Sequence, residues 1–215
     1  MYLVWNKKTI SDFSDENINA LYNTGYVFTR VDKGTMDQTR SIRIDLAKFK
    51  LSSENRRILR KTKDVNLEIA DLPYSKYDWT IGKMAKDFYT TKFGEGTFSA
   101  NKIKELLTHK EKSNFNRLFI YFLKDKPIGY CIFLETDKIV HYCYPFYRLE
   151  NGPKDIGLGM MIRAIIWAKE NKKKSVYLGS FQRPTDIYKL QFSQIEWFDG
   201  KNWKTNLEEL KTNIK

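Results

Sequence analysis

Apolar residues recur at helical spacing in some stretches of this chain and alternate, or run unbroken, in others, and the two periods predict interleaved helices and strands. Leu158, Met161, Ile162, Ile165 and Ala168 follow the i, i+3, i+4, i+7 spacing of one buried helix face, with Asp155 placed to cap its start and Gly157 and Gly159 in its first turn. Ile81, Met84, Ala85 and Phe88 predict a helix over 77–90, and Ile103, Leu106 and Leu107 predict another that Ser99 caps. Residues 14–22 read as a helix with Asp15 and Glu16 in its first turn, closed by Gly25. Ser52 or Ser53 opens ENRRILRKTK, whose Ile58 and Leu59 face inward. Strands are expected at 2–5, 26–31, 41–46 and 65–70, with 32–39 a polar connection and 93–98 a glycine loop. Runs at 118–123, 128–134 and 139–147, separated by turn residues, predict an antiparallel meander, and 154–180 reads as loop, helix and strand. The meander runs are apolar on both faces, so helices are expected to cover the sheet on both sides.

With 215 residues and 41% hydrophobic content, the chain suits one domain with a real core, here bounded as 25–205, an N-terminal extension at 1–24 and a C-terminal tail helix at 206–215. A formal charge of +12 favours polyanionic partners such as nucleic acid, although a lysine-rich composition alone also produces it. Cys131 and Cys143 sit in apolar runs without ligand spacing, which predicts buried reduced thiols and no metal site. The absence of a membrane-length apolar run and of a signal-peptide pattern leads us to expect a soluble cytoplasmic protein with no membrane partner.

Two features offer chemistry. The open first turn at Gly157, Leu158 and Gly159 presents backbone N–H groups suited to phosphate or a developing oxyanion, or is a glycine-loosened helix start with no ligand. On the 52–63 helix, Arg56 lies one turn from Arg60 and Arg57 one turn from Lys61, so like charges repel by about a few tenths of a kcal/mol per pair unless an anion relieves them. That stripe suits phosphate contacts, or it is a solvated face. His109 reads as a surface residue at a helix end, and His141 as a satisfied core or edge histidine rather than a general base.

A helix-rich first half, a three-stranded meander, a glycine-led helix and a further strand resemble the element order of the Gcn5-related N-acyltransferase (GNAT) fold. This is an α+β class, a mixed and mainly antiparallel central sheet flanked by helices. KDIGLG at 154–159 resembles that superfamily's pyrophosphate loop, with Lys154 where Arg or Gln is usual. SIRIDLAKFKLSSENRRILRKTKD at 41–64 and VYLGSFQRPTDIYKLQFSQIEWFDGKNW at 176–203 narrow the match. They resemble the C-terminal part of the arginyl-tRNA–protein transferases and their bacterial leucyl-transferring relatives. Phe49, Arg56, Arg57, Leu59, Arg60 and Lys61 stand in the first block; Tyr177, Leu178, Gly179, Tyr188, Lys189 and Phe192 stand in the second; HYCYPFY at 141–147 is similar to the family's Tyr-x-Phe-Tyr strand. The family's N-terminal cysteine cluster is missing, and RPTDI at 183–187 replaces its Gly-Cys or Gly-Ser step.

The resemblance implies transfer of an amino acid, arginine foremost, from aminoacyl-tRNA to the N-terminal α-amine of a protein or peptide. Aminoacyl-tRNA would be the co-substrate, with no bound cofactor and no metal. Gly157, Leu158, Gly159 and Tyr188 then take the catalytic roles, Tyr177, Gly179 and Lys189 the acceptor side, and Arg56, Arg57, Arg60 and Lys61 the tRNA backbone. The alternatives are an acetyl-CoA-dependent GNAT N-acetyltransferase, using the same loop for pyrophosphate, and a non-catalytic RNA- or protein-binding module on the same fold.

Overall fold

The computed structural model describes residues 3–150 and 152–212. Its centre is an eight-stranded sheet in the order β11-β10-β4-β9-β8-β7-β6-β5. The meander comprises β6 (Arg117–Leu123), β7 (Lys126–Glu135) and β8 (Ile139–Tyr147), with β5 (Val65–Asp71) on its outer edge. Lys124 and Asp125 both have positive φ, so the β6–β7 turn is tighter than the sequence predicts and β7 begins two residues before the expected 128. Beyond β8 the sheet continues with β9 (Ser175–Ser180), β4 (Ser41–Asp45), β10 (Ile195–Phe198) and β11 (Trp203–Lys204). Every pair in it is antiparallel except β8–β9, which is parallel and joined by the crossover helix α5 (Ile156–Glu170).

A second sheet, β1-β3-β2, comprises β1 (Asn6–Thr9), β2 (Tyr26–Phe28) and β3 (Thr35–Gln38). It corrects the sequence reading at two places. No strand forms over 3–5, and residue 2 lies outside the described residues; the strand starts at Asn6, where β3 offers a pairing edge. The supposed connection at 32–39 contains β3, because Gly34 at positive φ and the Thr35 N–H to Asp32 O bond turn the chain back against β2.

Each face of the large sheet has its own core. On one side α2 (Ser53–Lys61) and α5 pack with Ile58, Met160, Ile162 and Ile165 buried, joined by Leu210 of α6 (Leu207–Thr212). On the other side α1 (Asp15–Asn23), α3 (Trp79–Phe93) and α4 (Ala100–Thr108) bury Tyr22, Ile81, Ala85, Ile103 and Leu106. The helix at 15–23 therefore packs into this core, with Tyr22 fully buried. Ser14, Asp78 and Ser99 each cap their helix through the side chain, as short polar residues do at these positions. Cys131 is buried and Cys143 half-buried, both as free thiols.

Candidate active site

The glycine-led start of α5 meets the C-terminal end of α2. Helix α2 begins with a complete capping box, in which the Ser52 hydroxyl accepts from the Asn55 N–H and the Asn55 side chain accepts from the Ser52 N–H. Helix α5 begins differently. Asp155 sits in the left-handed region at φ 69 and makes no side-chain cap, which corrects the expectation from sequence. Its carboxylate instead lies 3.1 Å from the Lys61 ammonium and 3.7 Å from the Arg57 guanidinium, because two cations on a neighbouring helix compete with the backbone for it. Arg57 is also held by Glu54, so the like charges along α2 are partly neutralised within the chain. Arg56 donates to the Leu51 carbonyl at 2.6 Å, and Arg60 is exposed.

The two helices are bolted together. A Cβ at Gly159 would lie 2.7 Å from the Thr62 hydroxyl oxygen, and one at Gly157 would lie 2.9 Å from the Tyr147 hydroxyl. These glycines therefore admit neighbouring side chains of the same chain, a use that spacing alone did not reveal. Arg163 adds the fastening: its Nε donates to Val65 O at 2.9 Å and its terminal nitrogens to Thr62 Oγ1 at 2.8 Å, Gly159 O at 3.2 Å and Thr62 O. It thereby ties α5 to the turn between α2 and β5. In the first turn of α5 the Gly159 N–H is already bonded to Asp155 O at 2.9 Å. Among the described residues no backbone acceptor engages the N–H groups of Gly157 and Leu158, so of the expected trio these two are without an intrachain backbone partner.

Strands β8 and β9 pair only from Ile139 with Ser175 to His141 with Tyr177 and then part company. Just beyond that point a register shift leaves Cys143 unopposed, with Ile132 facing Tyr144 and Phe133 facing Tyr142. His141 closes the paired segment. The Tyr22 hydroxyl, which accepts the Phe28 N–H at 3.2 Å, lies 2.9 Å from His141 Nδ1, and burial drives the imidazole pKa down to about 3. It is a neutral, hydrogen-bonded core residue at neutral pH, as the sequence reading favoured.

The remaining expected residues divide. Tyr188, on the 3-10 helix Pro184–Gln191, is 42% exposed as a residue, yet its phenol is sunk against the chain and burial raises its pKa above the usual tyrosine range. Lys189 is buried, with its ammonium donating to Ser180 O at 2.6 Å and paired with Asp186 at 3.1 Å, so its charge is used inside the chain. Tyr177 is fully buried on the opposite face of the sheet, edge-on to Tyr22 and accepting from Arg43 at 3.3 Å. Gly179 has φ +77, and a Cβ there would sit 3.9 Å from His141 Nε2. The structure thus gathers Arg57, Lys61, Gly157, Leu158 and Gly159, and sets Tyr177 and Lys189 apart. Asp155, Thr62, Tyr147 and Arg163, which join the pieces, were not singled out from sequence as partners of this site; only their contacts reveal them.

Tyr147 also lines a cleft of about 1100 Å³ between α3 and the end of β8. Its floor includes Met84, Phe88 and Ile128, and its rim includes Lys86, Arg148 and Glu150. Among the described residues no group of three or more His, Cys, Asp or Glu side chains is arranged to hold a metal, and no helix is long and apolar enough to cross a membrane.

A mainly antiparallel sheet flanked by helices, with one parallel pair that diverges beside a glycine-led helix, is the mixed α+β arrangement expected from the sequence. Comparison with known proteins adds a likeness of fold. No family model matches the chain. A 70-residue segment is 30% identical to the aspartate/glutamate leucyltransferase of Xanthomonas oryzae pv. oryzae (strain PXO99A), covering 32% of this chain and 28% of that protein. The chain thus spans little more than a quarter of the length of the curated relative it matches. L-PGS of Bacillus licheniformis superposes with a TM-score of 0.50 at 14% identity, over 77% of this chain and 51% of that one, a likeness of fold. FemX superposes with a TM-score of 0.47 at 10% identity, over 77% of this chain and 60% of that one.

Proposed function

We propose that this chain transfers an aminoacyl group, arginine foremost, from the 3′ ester of a charged tRNA to the N-terminal α-amine of a protein or peptide. The observation that supports it best is the join between a basic helix and an anion-ready helix start, made by the 3.1 Å Lys61–Asp155 pair. Arg56, Arg57, Arg60 and Lys61 are then set to hold tRNA phosphates while the free N–H groups of Gly157 and Leu158 face the ester. The match to a leucyltransferase segment points the same way.

The chemistry asks little of the protein. The amine nitrogen attacks the ester carbonyl, an amide forms, the ester C–O bond breaks, and the 3′ oxygen takes up a proton as the amine gives one up. An aminoacyl ester is already activated, so alignment and stabilisation of the oxyanion supply most of the acceleration. Gly157 and Leu158 donate to that oxyanion, and the Tyr188 phenol, whose burial raises its pKa above the usual tyrosine range, keeps its proton beside them. Lys189 supports it from behind, through the bonds to Ser180 and Asp186 that hold the 3-10 helix in place.

A labelled arginyl group should pass from arginyl-tRNA to a peptide with a free amine and not to its N-acetylated form. Arg57→Glu should weaken tRNA binding for every tRNA sequence and lower the salt slope by about 1. Binding that does not change between low and moderate salt would refute the tRNA reading. The free N–H pair of Gly157 and Leu158 also suits a pyrophosphate, so a second reading takes acetyl-CoA as donor. Tight calorimetric binding of acetyl-CoA without binding of charged tRNA would select it.

A further inference from the structure

We infer that the cleft along α3 seats the first several residues of an extended polypeptide acceptor and presents its amine at Tyr147. The inference deepens the aminoacyl-transfer reading and depends on it for the reaction, though not for binding. Shape comes first. The cleft of about 1100 Å³ adjoins a second cavity of about 290 Å³, lined also by Phe98 and Asn101, and the two share Lys86, Thr90 and Gly96, so hollows flank α3 over much of its length. Sites for small ligands run to roughly 1,000 Å³ and are compact, whereas this groove follows the helix.

Charge separates a polypeptide from a nucleic acid. Lys83 and Asp87 pair with each other, while Lys86, Arg148, Glu95 and Glu150 have no ion-pair partner among the described residues. The larger cleft sets Asp87, Glu95 and Glu150 beside Lys83, Lys86 and Arg148, so a phosphate backbone laid there gains no net attraction. A polypeptide carries amide dipoles and both signs of charge, so it matches the mixed rim. Apolar contacts are supplied by Met84 and Phe88 in the floor and, at the rim, by Leu149, which is 39% exposed. Trp79, one helical turn before Lys83, is 72% exposed and suits a side chain of the entering segment. Tyr147 lines the groove and its hydroxyl meets Gly157, so an amine held beside Tyr147 lies next to the start of α5.

The test is direct binding of three probes to the full chain: a random-sequence hexapeptide pool with free N-termini, the same pool N-acetylated, and a mixture of single amino-acid amides. Free hexapeptides should bind about tenfold more tightly than the amides or the acetylated pool. Thr91→Trp and, separately, Met84→Arg should each erase that preference, leaving the affinity for charged tRNA within about twofold. Hexapeptides that bind no better than amides, or that ignore both substitutions in folded protein, overturn the inference. So does loss of tRNA binding in Thr91→Trp, which would assign the groove to nucleic acid. Hexapeptide binding that responds to these substitutions in a protein that binds no charged tRNA would uphold the groove and refute the donor assignment instead.

Discussion

The two faces of the large sheet are held to their helices by different means. On the α2–α5 face the apolar core is supplemented by polar fastenings: Arg163 spans Thr62, Val65 and Gly159, the Tyr121 hydroxyl donates to the Met160 carbonyl at 3.0 Å, and Asp155 ties α5 to α2. On the α1–α3–α4 face aromatic edges are more prominent, joined by the Tyr22–His141 bond, by Tyr89 donating to Pro145 O at 3.1 Å and by Thr136 donating to the Asn19 side chain at 2.7 Å. The difference shows where geometry matters. Directional bonds lock the start of α5 to the end of α2, whereas on the other face aromatic packing, which is less exacting about angle, carries more of the hold.

The largest expected effect breaks the fastened face. Gly159→Val forces a branched side chain onto Thr62, and overpacking of this kind should cost about 3 kcal/mol, read from urea denaturation. An unchanged midpoint would mean that α2 and α5 are not locked together. Next comes a pH test of the other face. His141 has a folded pKa of about 3 against an ordinary 6.5, so the unfolded chain binds the proton first. The stability that neutral His141 contributes is complete above pH 6.5 and drains as pH falls toward 3, at up to about 1.4 kcal/mol per unit. His141→Gln should flatten the stability profile between pH 6.5 and 4.5, and a profile of the same slope would rule out this assignment. A smaller effect separates the two helix starts. Ser52→Ala removes the cap of α2 and should cost about 1 kcal/mol, whereas Asp155→Asn, at a start with no side-chain cap, should leave thermal stability nearly unchanged. The same Asp155→Asn protein should bind charged tRNA more tightly at low salt, since Lys61 and Arg57 lose an internal competitor.

Much of the fold is legible in the sequence because its signals are local. The meander, the crossover helix and the Ser52, Ser99 and Ser14 helix starts all follow from periodicity and from caps within a few residues. The strand at 35–38 escaped because Thr35 and Asp37 make a short segment look polar, while only pairing with β1 and β2 identifies it. The site is legible in part. The basic stripe and the glycine turn lie on elements read correctly, yet Lys189 and Tyr177 resembled acceptor contacts and are buried, one against Asp186 and the other under Tyr22.

By itself the sequence determined the alternation of helices and strands, the capped start of α2 and the stripe of cations along it, since each depends on neighbours within one or two turns. Tertiary structure alone decided that Asp155 serves Lys61 across 94 positions of chain rather than its own helix, and that Gly159 makes room for Thr62. It also decided that β8 and β9 run parallel and then part. The physical reason is one of range. Periodicity and capping act along the chain, whereas ion pairing and close packing depend on which distant elements the folded core brings into contact.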